Sequence, residues 1–146
     1  MNQELPASLL MFIAARAAAD RIFNVVRDAG FGDVTVAQSR LLMGVDADGT
    51  RLSVLADRAQ IAKQTATALV DKLERAGYVE RLPDPSDGRA RLVRMTARGE
   101  AARPVARAEE ARIEAEWAAH LGPERMVQLR QALTALREIT DRYRRS

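Results

Sequence analysis

The chain has 146 residues, of which 47% are hydrophobic and 29% charged, and a formal net charge of +3. This length and composition suit one globular domain and exclude a disordered or low-complexity chain. The absence of cysteine excludes a disulfide scaffold, a thiolate metal site, a cysteine nucleophile and a thiol redox switch. Histidine-based catalysis would depend entirely on His120, which disfavours most hydrolase chemistry. We expect no metal and no cofactor.

The N-terminus lacks a basic leader, and Arg16 interrupts the apolar run from Leu9 to Ala19 well short of a membrane span. We therefore expect a soluble cytoplasmic protein without membrane contact. Arginine supplies 21 of the 23 basic residues, since only Lys63 and Lys72 are lysines, and arginine favours phosphate and carboxylate partners. Residues 88–107 carry six arginines against one glutamate, which predicts a local anion-binding surface.

Helical periodicity predicts a long first helix from Ala7 to Ala29, after Pro6 and before Gly30. It would span about 35 Å, and its two-sided apolarity favours a partner helix from another subunit. A shorter helix is expected from Thr35, its N-cap, to about Val45. Residues 46–49 resemble the start of a calcium loop, but the further oxygen ligands are absent, so we interpret them as a turn.

The middle of the chain predicts two helices joined by a tight break, from Leu52 to Ala59 and from Ala62 to Ala76. Gly77 is the expected stop of the second helix. Strand-like segments follow from Tyr78 to Pro83 and from Arg91 to Met95. The turn-rich residues Asp84 to Ala90 separate these segments, so a β-hairpin is predicted.

Two further helices are predicted at the C-terminal end of the chain. Thr96 is the expected cap of a long helix that reaches Ala119, and Gly122 with Pro123 breaks it. The last helix is expected to run from Pro123 to about Tyr143. Its Leu133 and Leu136, together with the apolar first helix, are candidates for an interface between subunits.

Two helices with a tight connection, followed at once by a basic hairpin, are typical of a winged helix-turn-helix. In that arrangement the second helix enters the DNA major groove, and the end of the hairpin, the wing, flanks it. One stripe of the second helix should be buried and the opposite face exposed. The buried stripe is Ala66, Leu69, Val70 and Leu73. The exposed side carries Gln64, Ala68, Asp71 and Arg75, with Thr65 and Thr67 on its flanks and Lys63 in the first turn.

These residue types suit a DNA groove. Glutamine pairs with adenine, threonine contacts a thymine methyl or a phosphate, and Lys63 can meet guanine or phosphate near the helix N-terminus. Arg89, expected at the hairpin tip, is suited to a narrow minor groove, with Arg81, Arg91 and Arg94 near phosphates. The alternative is an ordinary solvated surface, but charge on a hairpin directly after this helix pair favours DNA binding.

Four segments, in this order and spacing, resemble the MarR family of bacterial transcription regulators. They are Leu55 to Ala59, Gln64 to Val79, Asp84 to Ala90 and Leu92 to Gly99. The resemblance implies a mainly α (α+β) winged helix-turn-helix fold, in the order helix, helix, short strand, helix, helix, strand, wing, strand, helix, helix. It implies one domain over residues 1–146, with a DNA-binding lobe at 35–100 and dimerisation helices at 5–30 and 101–146.

The resemblance also implies a homodimer on a pseudo-palindromic operator in double-stranded DNA. The family's Asp-x-Arg motif falls on Asp87 and Arg89, with Arg89 expected in or near the minor groove, Asp87 bracing the wing's arginines and Arg81 at phosphate. Ala68 stands where many members have arginine, and Val54 replaces a common polar residue. The implied DNA-binding residues are Lys63, Gln64, Thr65, Thr67, Ala68, Lys72, Arg81, Asp87, Arg89 and Arg91.

Members of the family often release DNA when a small molecule binds, so the resemblance implies a small aromatic or anionic effector and a repressor rather than an activator. Arg16 and Arg40 are candidates to bind an anionic effector, and the alternative for both is an ion pair within or between subunits. Some members respond to thiol oxidation, which a chain without cysteine cannot do.

Two other functions are compatible with the residues. The first is an architectural DNA-binding protein with little sequence preference, which would show equal affinity for specific and non-specific DNA. The second is an enzyme that acts through helix carboxylates, although these are expected to pair with Arg107 and Arg112. The carboxylates in question are Glu109, Glu110, Glu114 and Glu116.

Overall fold

The computed structural model describes residues 4–141 and contains, within that range, six helices and three short strands. In chain order these are α1 (Ala7–Asp28), α2 (Val36–Leu42), β1 (Thr50–Arg51), α3 (Leu52–Ala59), α4 (Lys63–Arg75), β2 (Val79–Asp84), β3 (Asp87–Met95), α5 (Ala97–Leu121) and α6 (Pro123–Thr140). The predicted fold class and order of elements are confirmed. The predicted end of the last helix, Tyr143, lies outside the described residues.

Two compact units make up the chain, Met1–Arg107 and Ala108–Ser146, with the boundary inside α5. The first unit holds the main hydrophobic core and the sheet. In the second, Ile113 of α5 and Met126 of α6 are buried, and Glu114 accepts a hydrogen bond from Arg130. The proposed DNA-binding lobe at 35–100 and dimerisation helices at 5–30 and 101–146 stay predictions.

Local hydrogen bonds explain where α2 begins and how the turn after it closes. The Thr35 hydroxyl accepts from the Gln38 N–H (3.2 Å) and the Gln38 side chain accepts from the Thr35 N–H (2.9 Å), a capping box that confirms the predicted N-cap. The helix ends at Leu42, three residues before the predicted Val45. The following turn is closed by the Gly49 N–H donating to the Asp46 carbonyl (2.9 Å), and the Asp46 carboxylate pairs with Arg58 (3.1 Å).

The core of the first unit lies between α2, α3, α4 and the sheet. In α4, Ala66, Val70 and Leu73 are at most 1% exposed and Leu69 is partly buried, which confirms the predicted buried stripe. Burial of an apolar stripe is what fixes the rotation of a helix about its own axis. The opposite face of α4 is therefore turned to solvent. The largest fully buried side chains are Tyr78, Leu41, Leu55, Leu73, Val70, Val79 and Val93.

The sheet is antiparallel, with β3 in the centre between β1 and β2. Thr50 and Arg51 of β1 lie opposite Val93 and Leu92 of β3. On the other side, β2 and β3 pair in regular register until Pro83 lies opposite Arg91. The hairpin is thus fastened at its base by a ladder on both sides of β3.

The end of the hairpin differs from the prediction. The expected turn over Asp84 to Ala90 is wrong, because β3 begins at Asp87, which pairs with Asp84, and only Pro85 and Ser86 form the turn. The Asp84 carboxylate closes this turn by accepting from the Ser86 N–H (2.8 Å). Residues 88–90 have no partner on β2 and form a bulge. We call residues 84–91 the wing.

Candidate nucleic-acid interface

Helix α4 begins after a sharp break in the chain. Gln60 ends α3 in the left-handed conformation (φ 55°), and Ala62 precedes α4 without a side-chain cap. The first-turn N–H groups of α4 therefore face solvent with the exposed side chains of Lys63, Gln64 and Thr65 around them. Uncapped N–H groups at a helix start favour an anion such as phosphate.

The outward face of α4 is as predicted: Gln64, Ala68, Asp71 and Arg75 are all exposed. Lys72 is exposed as well. Thr67 is half-buried, and its hydroxyl donates to the Lys63 carbonyl (2.9 Å). That bond leaves the threonine methyl group and the oxygen lone pairs for another molecule. The face is short and polar, with an alanine in its middle.

The C-terminal end of α4 leads directly into the hairpin. Gly77 adopts a positive φ of 82°, the Tyr78 N–H donates to the Leu73 carbonyl (2.9 Å) and the Gly77 N–H to the Glu74 carbonyl (3.0 Å). This is a Schellman motif, in which glycine carries the left-handed residue without strain. The predicted stop at Gly77 is confirmed, and it sets the direction in which β2 leaves the helix.

Arg81 ties β2 to α4. Its guanidinium pairs with Asp71 (2.6 Å) and with Glu74 (2.9 Å), both on α4. The expected role of Arg81 at phosphate stays a prediction, and in this structure two carboxylates engage its charge. The pairs join the strand that carries the wing to the helix that precedes it.

Half of the predicted basic surface over residues 88–107 is neutralised. Arg94 pairs with Glu80 (2.7 Å), Arg98 with Asp33 (3.0 Å) and Arg103 with Glu100 (2.8 Å). Within residues 4–141, the guanidinium groups of Arg89, Arg91 and Arg107 have no ion-pair partner. Two of these three lie in the wing, so the unpaired charge is concentrated there.

Arg89 and Asp87 occupy different positions from those expected. Arg89 lies in the bulge of β3 rather than at the hairpin tip, because the two-residue turn is formed by Pro85 and Ser86. Asp87 accepts from the backbone N–H of Arg89 (3.0 Å) and contacts no arginine side chain among the described residues. Asp87 thus holds the bulge backbone, and the Arg89 side chain extends into solvent.

A different carboxylate carries the ion pair of the wing. Asp84 is only 7% exposed and accepts from the Arg51 guanidinium (2.7 Å) on one oxygen. Its other oxygen accepts from the Ser86 hydroxyl (2.7 Å) and N–H (2.8 Å). The hydrogen bonds from Ser86, reinforced by Arg51, lower the pKa of Asp84 to about 2.

A second polar cluster joins the loop before α2, the end of α4 and the start of α5. The buried Tyr78 hydroxyl donates to Asp33, and Arg98 donates to the same carboxylate (3.0 Å) while its guanidinium lies 4.3 Å from the centre of the Tyr78 ring. Burial, together with the hydrogen bond to Asp33, raises the pKa of Tyr78 to about 12. The hydrogen bond from Tyr78 lowers the pKa of Asp33.

This cluster predicts a specific loss of stability at high pH. The unfolded Tyr78 ionises near its ordinary pKa of 10.0 and the folded one near 12, so the unfolding free energy should fall as pH rises between these values. Absorbance titration of the phenolate should show one tyrosine with a midpoint near pH 12. Tyr78→Phe should remove that transition and leave the titration of Tyr143. Unchanged titration in the variant would contradict the assignment.

Two of the helix carboxylates considered for the enzymatic alternative form salt bridges with arginine. Glu109 pairs with Arg112 (2.8 Å), as expected, whereas Glu114 pairs with Arg130 rather than with Arg107. Within residues 4–141, no group of three acidic or histidine side chains is placed to hold a metal ion. Arg16 and Arg40, the candidate effector residues, have no ion-pair partner in the same range.

Sequence reasoning missed Arg51, Asp84, Asp33 and the ring contact of Arg98. The signal for Asp84 is the Asp-Pro-Ser order, which is typical of a turn closed by an aspartate side chain. Arg51 and Asp33 are separated from their partners by 33 and 65 residues, so no local pattern indicates them.

The fold is that of a winged-helix protein, the class of fold that many DNA-binding regulators have. Residues 32–90 match the family model described as MarR family. A structure of MarR is 27% identical, with a TM-score of 0.72, over 94% of this chain and 99% of that one. Transcriptional regulator Tm0710 from Thermotoga maritima is 26% identical (TM-score 0.64; 95% and 96% covered), and transcriptional regulator PA4135 is 25% identical (TM-score 0.68; 92% and 98% covered).

No curated protein sequence matches the chain significantly. The matches to the family model and to the solved regulators nevertheless agree over the winged lobe, and the solved regulators also cover the flanking helices. Over residues 32–90 the chain is therefore similar to the MarR family, and over 92–95% of its length it shares the fold of solved transcriptional regulators. None of the helices within residues 4–141 is long and apolar enough to cross a bilayer.

Proposed function

We propose that this regulator is a homodimer that binds a pseudo-palindromic DNA operator with sequence specificity and represses transcription in the cytoplasm. The observation that carries the proposal is that two exposed surfaces, one on α4 and one on the wing, belong to elements joined by ion pairs. The polar outward face of α4 is tied through Arg81 to a hairpin whose Arg89 and Arg91 have no acidic partner within residues 4–141. A helix for the major groove beside an unpaired cationic wing is what operator binding requires.

In this proposal the residues of α4 read the major groove. Gln64 is the base-reading residue, with Lys63 and Thr65 at the phosphates around the helix start. Thr67, Ala68 and Lys72 line the rest of the groove, and the small Ala68 allows close approach of the helix to the bases. All of these side chains except the half-buried Thr67 are exposed on one side of α4, which supports this assignment.

The wing contributes the second contact. Arg89 is assigned to the minor groove, where a narrow groove concentrates negative potential, and Arg91 to the neighbouring phosphates. Asp87 supports Arg89 through its backbone. Arg81 approaches phosphate only if it exchanges one of its two carboxylate partners on α4 for the DNA backbone.

Dimerisation is proposed because two helices expose apolar side chains that a monomer would leave in water. The N-terminal half of α1 exposes 40–59% of Leu9, Leu10, Phe12 and Ile13, and in α6 Leu133, Leu136 and Ile139 are exposed. Exposed apolar surface of this kind marks protein interfaces. Two lobes in a symmetric dimer would present their α4 helices to successive major grooves, roughly 34 Å apart.

Substitution of Arg89 and of Gln64 should have different effects on DNA binding. Arg89→Ala is expected to weaken binding about tenfold to all sequences and to reduce the salt slope by about one, because one phosphate or groove charge is lost. Gln64→Ala is expected to relax base preference at one position in each half-site, at about 1–3 kcal/mol. Both effects are measured by titrations with a set of single-base operator variants at several salt concentrations.

Arg27→Ala and Gln128→Ala are matched controls, because both residues are exposed and lie outside the proposed DNA-binding surface of α4 and the wing. They should bind as the parent does. If Arg89→Ala and Gln64→Ala also bind as the parent does, the assignment of both residues is wrong.

The experiment that tests the function itself is a titration at fixed salt against the DNA upstream of the protein's own gene and against scrambled DNA of equal length. Tight binding to the first alone, with a protected inverted repeat, is the expected result. Equal binding to both would favour the architectural alternative. No binding to either would remove the DNA-binding proposal.

Regulation is proposed to occur through a small aromatic or anionic effector that changes the spacing of the two lobes and so lowers operator affinity. The unpaired guanidinium groups of Arg16 and Arg40 support an anionic class of ligand. Addition of aromatic carboxylates to the operator complex, followed by fluorescence anisotropy, tests this step. Release should require Arg16 or Arg40.

A further inference from the structure

The wing is weakly supported by the sheet at the point where it carries its unpaired charge. The regular β2–β3 ladder ends where Pro83 lies opposite Arg91, and Pro83 has no N–H to donate. Beyond it only Asp84 and Asp87 pair, and residues 88–90 lie in the bulge. Backbone pairing alone therefore does not fix the direction of Arg89.

One carboxylate compensates for the missing ladder. Asp84 accepts two hydrogen bonds from Ser86 in the turn, and its other oxygen lies 2.7 Å from both Nε and Nη2 of Arg51. A guanidinium that meets a carboxylate through two nitrogens restricts orientation as well as distance. Among residues 4–141, Arg51 is thus the side chain outside the hairpin that holds the tip of the wing.

The ion pair between Arg51 and Asp84 connects two separate elements of the fold. Arg51 is in β1 and Asp84 at the end of β2, on opposite sides of the central strand β3. Arg51 also immediately precedes α3, the first helix of the helix-turn-helix. The ion pair therefore crosses β3 and fixes the wing relative to the helices that position α4.

We propose that Arg51 is a positioning residue for DNA binding, which acts through Asp84 to hold the wing so that Arg89 and Arg91 meet the DNA in register with α4. This inference rests on the proposed DNA-binding function. It differs from the expectation for Asp87, which contacts only the Arg89 backbone among the described residues.

The direction in which Asp84→Ala changes operator affinity distinguishes a positioning role from a simple effect of charge. Asp84→Ala removes a negative charge close to the DNA, so electrostatics alone would tighten binding. The proposal expects the opposite, about tenfold weaker operator binding, because the freed wing must be ordered on binding. Hydroxyl-radical footprinting should show loss of protection at the wing positions and retained protection where α4 contacts the DNA.

The experiment uses the full chain and the operator that the parent protects. Ser86→Ala, which keeps the Arg51–Asp84 pair, is the matched control for the turn, and Arg27→Gln is the control for loss of an exposed arginine that pairs with an aspartate. Both should retain wing protection. Arg51→Gln should lose it, and since the Arg51 side chain is 43% exposed, this variant tests the proposal even if Asp84→Ala does not fold.

Hydrogen exchange of the DNA-free protein provides an independent readout. Amides of residues 84–91 should exchange faster in Asp84→Ala and Arg51→Gln than in the parent, with the α4 amides unchanged. Tighter or equal operator binding by these variants, with wing protection intact, overturns the positioning role while the parent's binding upholds the proposed function. If the parent protects no DNA, both the function and this inference fall.

Discussion

Replacement of Gly99 by alanine is expected to destabilise the first unit severely. Gly99 is buried in the first turn of α5, and a Cβ there would lie 2.3 Å from the Tyr78 carbonyl oxygen and 3.0 Å from Cε of Met95. The carbonyl is backbone and accepts the Thr96 N–H (3.0 Å), so it cannot move without loss of that bond. We expect a loss of about 3 kcal/mol or more in unfolding free energy.

Thermal unfolding followed by circular dichroism measures this loss, which corresponds to roughly 10 °C in Tm. Gly88→Ala is the matched control, because no atom lies within 4 Å of its added Cβ. Its unfolding temperature should equal that of the parent. A Gly99→Ala protein as stable as the Gly88→Ala protein would show that α5 does not start in close contact with Tyr78.

The second large effect is expected from a charge placed on the apolar half of α1. Phe12 is 59% exposed, and Phe12→Glu should prevent association because a carboxylate would have to be buried between the subunits. Sedimentation should show a monomer. Operator affinity should fall about 100-fold or more, because one lobe then binds without the second half-site.

Asn24→Glu introduces the same charge at an exposed position in the C-terminal half of α1, four residues from Asp20 and from Asp28. This variant should remain dimeric and bind as the parent does. If the Phe12→Glu protein is dimeric, the interface between subunits does not include this part of α1. A monomeric one that binds the operator at full affinity would separate dimerisation from DNA binding.

Elements with a strong local signal were predicted closely from the sequence. Thr35 and Gln38 satisfy each other's backbone groups, Gly77 carries the left-handed residue after α4, and the buried stripe of α4 follows its helical spacing. Each of these features depends on residues within one or two turns of one another. Periodicity and capping are therefore sufficient to define them.

The wing was predicted less well, because its conformation depends on distant residues. Gly88 and Asp87 favour a turn by composition, yet Pro85 and Ser86 form a tighter turn nearer the start, which Asp84 closes, and residues 88–90 are left without a partner on β2. The partner that fixes Asp84 is Arg51, on the far strand of the sheet. Ion pairs across a sheet carry no periodic signal, so the sequence indicates the charge of the wing but not its direction.

The two carboxylates that hold Arg81 have a consequence for the proposed control of transcription. They couple α4 to the base of the hairpin, since Asp71 and Glu74 lie on the helix and Arg81 on the strand. In the proposed operator complex, a movement of α4 out of the major groove would carry the wing with it. We therefore expect the helix and wing contacts to be lost together, so that no half-bound form accumulates when the operator is released.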